Sequence, residues 1–153
     1  MQKIVGFLAG ILLFSNPASA EEAVLVAYDD NAVVIVDLGS IRKLGTTKIW
    51  QIARYVNSPM EWKGKEVFTM KTQFSVDCNR NELKRIYISL QDQENRYIDS
   101  FPKLDEFGPV IPGSHLEDVY RVACDGPSPD DFRAKNIDEA FDFFLSLLAD
   151  KEM

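Results

Sequence analysis

The chain has 153 residues, of which 46% are hydrophobic and 27% charged, and its formal net charge is −7. That length suits one domain with its own core. An acidic surface repels phosphates, which argues against nucleic acid as a partner, and no segment carries the roughly 20 consecutive apolar residues of a spanning helix.

Residues 1–20 read MQKIVGFLAGILLFSNPASA. Lys3 gives a positive start, Ile4 to Phe14 is a short apolar run, and Ala18-Ser19-Ala20 is a small-x-small cleavage site. This pattern is a secretory signal, with cleavage expected after Ala20. No cysteine lies beside that site, so no lipid attachment is expected. Residues 21–153 are then one exported domain, destined for the periplasm, the cell surface or the extracellular space.

Charge is unevenly distributed along this domain. Residues 40–85 hold ten Lys or Arg against four Asp or Glu, whereas residues 21–39 hold five acids and no base. The basic segment suits an acidic partner. It equally suits solvated hairpins whose charges pair with the acidic remainder.

In chain order, Val24 to Tyr28 and Val33 to Leu38 read as a hairpin about the Asp29-Asp30-Asn31 turn. A short basic link lies between Gly39-Ser40 and Gly45-Thr46. Thr47 to Val56 reads as a third strand, with Trp50, Ile52 and Val56 at alternate positions. A loop through Met60, Trp62 and Gly64 follows. Glu66 to Val76 is the clearest strand: Phe68, Met70, Phe74 and Val76 share one face, and Lys71, Gln73 and Ser75 the other. Such alternation marks a sheet with one wet side. Trp50 and Phe68 are expected in the core. Leu83 to Leu90 and Arg96 to Phe101 complete about six strands, paired antiparallel through short turns.

The stretch from Phe107 to Gly113 is irregular. Ser114 and Glu117 then have capping-box spacing, and Leu116, Val119, Tyr120, Ala123 and Cys124 make a helical apolar stripe. After a Gly/Pro-containing linker, a second helix runs from about Ile137 to Ala149 within a C-terminal extension, 132–153. Its broad apolar stripe predicts burial or a meeting with a partner.

Chemistry-bearing patterns are few. His115 is the only histidine, which counts against metal sites and nucleophilic triads. It reads as a solvated first-turn residue. The carboxylate pairs Asp29-Asp30, Asp105-Glu106, Glu117-Asp118 and Asp130-Asp131 are adjacent in sequence, so their members do not face the same way along a strand or helix. No phosphate-cradling loop or nucleophile elbow is present. No cofactor, no metal and no catalytic residue is expected. The two cysteines, Cys78 and Cys124, are too far apart for a zinc motif, and a lone pair in an exported chain reads as one structural disulfide. Strand parity and helical spacing would turn both thiols inward.

The order of short elements resembles the surface-adhesin protein E family: Val36-Asp37-Leu38, Ser40-Ile41-Arg42, Trp50-Gln51-Ile52 with Tyr55, Thr69-Met70-Lys71, Val76-Asp77-Cys78, Pro112-Gly113-Ser114 and Cys124. The likeness spans about residues 33–124. It implies an antiparallel sheet with a helix tied to its concave face by the disulfide, and a place in the Gram-negative envelope.

The fold expected is therefore α+β: one antiparallel sheet of about six strands, with a disulfide-tethered helix and a C-terminal helix on one face. The function expected is non-catalytic binding of a protein or acidic surface. The candidate contact residues are Arg42, Lys43, Lys48, Trp62, Lys63 and Lys65. An envelope assembly factor whose C-terminal helix docks into a partner or a second copy is the alternative. An enzyme using carboxylates in a cleft under the helix is the third reading.

Overall fold

The computed structural model describes residues 22–103 and 105–151; the expected signal segment lies outside them. Ten strands and two helices follow in chain order: β1 (Ala23–Tyr28), β2 (Ala32–Leu44), β3 (Thr46–Tyr55), β4 (Met60–Trp62), β5 (Lys65–Val67), β6 (Thr69–Asp77), β7 (Glu82–Gln91), β8 (Tyr97–Pro102), β9 (Gly108–Pro109), α1 (His115–Asp125), β10 (Phe132–Ala134) and α2 (Ile137–Lys151). The main sheet has eight strands, not six, in the order β10-β1-β2-β3-β6-β7-β8, with β9 also pairing β7. All its pairings are antiparallel. The two added strands, β9 and β10, hold two and three residues, too few to show a period.

Side-chain chemistry places the turns. Asp29 Oδ1 accepts the N–H groups of Asn31 and Ala32, each at 2.8 Å, and closes the β1–β2 turn. Asp77 does the same for Asn79 and Arg80 after β6. β2 runs six residues past Leu38, where the strand was expected to end, through the short basic link. A register shift between Asp37 and Arg42 absorbs Gly39 and Ser40. There the Ser40 hydroxyl donates to Asp37 O at 2.6 Å and accepts the Trp50 N–H at 2.9 Å, replacing missing ladder bonds.

The two helices lie on opposite faces of the sheet, which corrects the expected single covered face. α1 buries Val119, Val122 and Ala123 against Val24, Val36, Ile49, Phe74 and Val76. α2 buries Ala140 and Phe144 against Ala23, Leu25, Val33 and Ile35, together with Ala134 of β10. Alternate residues of β1 and β2 thus point to different cores. The reason is in their composition: AVLVAY and AVVIV are apolar without alternation, the pattern of strands buried on both sides. β6 and β7, farther along, keep one wet face.

A third cluster, Val67, Ile88 and Leu90, sits under the β4–β5 hairpin with Trp62, Met70, Ile98 and Phe101 around it. Cross-strand register puts this cluster on the α1 face: Leu90 is opposite Met70, and Met70 opposite Ala53. The expected loop through Trp62 is this hairpin, turned by Lys63 and Gly64, both at positive φ (51° and 75°). Phe68 falls at a bend between β5 and β6 and is half-buried, while Val67 takes the core position. Trp50 is half-buried on the face opposite α1, also outside the core.

The disulfide joins Cys78 and Cys124 with 5.7 Å between Cα atoms. β6 ends at Asp77, so Cys78 lies in the turn and is exposed. Cys124 is half-buried against the first core. The bond therefore closes the rim of that core instead of lying inside it. Beside it, Tyr120 donates its hydroxyl to Cys78 O at 3.0 Å.

Candidate binding face of the sheet

The α2 side of the sheet is only half covered. α2 overlies β1, β2 and β10, and beyond it the strands β3, β6 and β7 turn one row of side chains outward. The register fixes that row: Trp50 is opposite Gln73 and Asp37, Ile52 opposite Lys71 and Ile35, Gln73 opposite Tyr87, and Lys71 opposite Ser89. Lys48 is opposite both Arg42 and Ser75 on the same side. Arg42, Lys48 and Lys71 therefore share a face with Trp50 and Tyr87.

The aromatics are ordered relative to one another. Trp50 and Tyr87 meet edge to face at 6.0 Å between ring centroids. The Tyr87 hydroxyl donates to Ser100 Oγ at 2.7 Å, and Tyr97, 65% exposed, lies 3.0 Å from the same oxygen. Between these rings and the start of α2 is a hollow of about 330 Å³, lined by Trp50, Ile52, Lys71, Tyr87, Ser89 and Ile137, with the Asp37 carboxylate at one side.

The six contact residues expected from sequence separate into two groups. Arg42, Lys43 and Lys48 cluster at the β2–β3 turn, with Arg42 and Lys48 on the open face. Trp62, Lys63 and Lys65 belong to the hairpin on the α1 side, over β8. There Trp62 stacks on Phe101 at 5.1 Å, and its Nε1 donates to Asp99 Oδ2 at 2.9 Å. Lys63 Nζ donates to the same oxygen at 3.0 Å. Trp62 thus covers the edge of the sheet, and Lys63 is held by an ion pair. By contrast Arg42, Lys43, Lys48, Lys65 and Lys71 take no ion pair among the described residues. The Arg42 guanidinium donates to the carbonyls of Gly39 and Ile41, each at 2.8 Å, which holds it near the turn.

Trp50, expected in the core, and Lys71 and Tyr87 were members of this face that sequence reasoning missed. Alternation had already put Lys71 on the wet side of β6. Alternation with Ile88 and Leu90 likewise leaves Tyr87 on the wet side of β7, but only the cross-strand register brings it beside Trp50.

The family model of surface-adhesin protein E matches residues 23–125. The chain belongs to the surface-adhesin protein E family. The match runs from β1 to the end of α1 and includes the disulfide and every residue of the open face named above, apart from Ile137. β10 and α2 lie outside it. No curated protein and no solved structure matches the chain. A surface adhesin is an exported protein that works by binding, and the described helices include none long and apolar enough to cross a membrane.

Three carboxylates are shifted from their ordinary range by the groups around them. Asp99 is held below the usual carboxylate range by the Trp62 and Lys63 hydrogen bonds. For Asp131, burial works upward, but the two Arg121 hydrogen bonds and the Ser128 N–H outweigh it and lower the pKa. Asp29 is lowered by the Asn31 and Ala32 N–H groups. Among the described residues no group of His, Cys, Asp and Glu is placed to hold a metal.

Proposed function

We propose that this adhesin-family protein is a non-catalytic binding protein that holds an acidic partner on the open face of its sheet. One observation carries the reading: Arg42, Lys48 and Lys71 are unpaired cations on the same face as the Trp50–Tyr87 pair. Exposed cations without partners raise the local potential although the whole chain is acidic. Aromatic rings beside them supply rigid contact area of the kind that concentrates binding energy. A sulfated polysaccharide or an acidic protein segment fits this chemistry. The partner lies outside the cell membrane, as expected for an exported chain.

The test is retention of the mature protein on immobilised heparin. The wild type is expected to bind at low salt and to elute as salt screens the contact. The triple variant Arg42→Glu/Lys48→Glu/Lys71→Glu is expected to flow through, while Lys63→Glu/Lys65→Glu, on the other side of the sheet, elutes with the wild type. Elution of the triple variant at wild-type salt would remove the open face from the function.

A further inference from the structure

The register arranges the side chains of the open face in rows that cross the strands. One row runs Arg42, Lys48, Ser75, Lys84, the next Asp37, Trp50, Gln73, Tyr87, and the third Ile35, Ile52, Lys71, Ser89. Lys84 thereby joins the cations of this face. Its ammonium stands 4.5 Å from the centre of the Phe107 ring, which positions the charge without neutralising it. None of Arg42, Lys48, Lys71 and Lys84 takes an ion pair among the described residues. The acids one row farther out are engaged elsewhere: Asp77 accepts the turn N–H groups of Asn79 and Arg80, and Glu82 pairs with Arg80. Free cations therefore stand on both sides of the aromatic row. Lys48 and Ile52 mark the two outer rows on β3, and an extended strand puts about 13 Å between them.

Between those cations lies the hollow of about 330 Å³. Trp50 and Tyr87, at 80° to each other, bound it on one side, Ile137 of α2 on another, and Ile52 lies at its floor. Asp37 and Ser89 add oxygens to its lining. A sugar ring has the matching surface: apolar C–H groups on its face pack against aromatic rings, and hydroxyls around its edge donate to a carboxylate. Asp37 takes no ion pair among the described residues, so its charge would oppose the carboxylates of an acidic peptide laid beside it. We infer that the partner of the open face is a sulfated polysaccharide. One ring of it enters the hollow, and sulfates on that ring and its neighbours reach the Arg42, Lys48 and Lys84 row on one side and Lys71 on the other. This inference rests on the function proposed for the face and names its ligand.

The probes are a heparin hexasaccharide and poly-L-glutamate of matched charge, each titrated calorimetrically into the mature protein at one low ionic strength. The hexasaccharide is expected to bind about tenfold more tightly, the weight of one central aromatic contact. Trp50→Leu, at a half-buried position outside the core, should abolish that preference and leave the affinity for poly-L-glutamate unchanged. Trp50→Phe, which keeps a ring, should restore most of it. Lys84→Glu reverses a charge at the end of the cationic row and should weaken both probes. Equal affinity of the two probes for the wild type would overturn the glycan assignment while leaving the cationic face in place. So would hexasaccharide binding that is indifferent to Trp50→Leu or to Lys84→Glu. Binding of neither probe would remove the open face from the function altogether, and this inference with it.

Discussion

The two helices solve the same problem by different means. α1 and α2 each cover one side of the β1–β2 pair, yet α1 is fastened and α2 is only packed. α1 carries the disulfide, the Tyr120 hydrogen bond to Cys78, and a two-pronged ion pair from Arg121 to Asp131 at 2.8 and 2.9 Å. α2 relies on Phe144, on Phe143 stacked against Phe132 at 3.7 Å, and on solvent-facing ion pairs such as Lys151–Asp30. The fastened helix lies inside the segment matched by the family model, and the packed one lies beyond it. A covalent tie acts on the unfolded chain and on the folded state, whereas packing acts on the folded state alone. Local opening is therefore expected to begin at α2.

The largest effect expected is at the packed helix. Phe144 is fully buried, so Phe144→Ala should cost about 3–5 kcal/mol. Hydrogen exchange should rise across α2 and β10 before α1 is affected; a uniform rise over both helices would make the comparison false. Next comes the tie. A bridge spanning 46 residues contributes about 4 kcal/mol in the chain-entropy account. Cys78→Ala should lower the thermal midpoint by several degrees, and reductant should do the same to the wild type but not to the variant. A midpoint indifferent to both would leave the fastening without energetic weight.

Smaller effects test the remaining ties. Asp131→Asn should cost about 1 kcal/mol, as for a well-aligned but partly exposed ion pair. The pKa of Asp131 is lower in the folded state than in the unfolded one. Its contribution is therefore complete above the unfolded carboxylate value, near pH 4, and fades as pH falls through the folded value. Denaturant midpoints at pH 7 and pH 3 should differ by less in the variant than in the wild type. The smallest expected change is Trp62→Phe, which keeps an aromatic ring to stack on Phe101 but removes the hydrogen bond to Asp99. It should cost about 1 kcal/mol or less, read from urea curves.

Much of the architecture could be read from residue order. The β1–β2 turn, the alternation of β6, the start of β7, both helices and the pairing of the cysteines follow from periodicity, turn chemistry and compartment. What escaped has identifiable causes. The extension of β2 depends on Ser40 replacing backbone bonds, a tertiary event at residues that otherwise signal a turn. The hairpin is turned by Lys-Gly, a weaker cue than Asn-Gly. On β3, the alternate pair Trp50 and Ile52 suggested the inward face. The face toward α1 instead carries Thr47, Ile49, Gln51 and Ala53, which conceals a buried glutamine among apolar neighbours. The opposite placement of the helices was implicit in the unbroken apolar runs of β1 and β2. The split of the basic residues into two groups required the long-range register of four strands, which no local pattern encodes.

One pairing also governs the order in which the molecule comes together. β1, the first strand of the described residues, sits inside the sheet, and its outer neighbour is β10, with Ala23 opposite Ala134. β1, β2 and β3 can zip together as successive hairpins as soon as they are available, because their closures are local. The outer rim of β1 then waits for Phe132–Ala134, almost at the end of the chain. Until these three residues arrive, an apolar strand with unsatisfied N–H and C=O groups is open to any other extended chain. That interval is the time when the chain is most open to pairing with a second copy of itself.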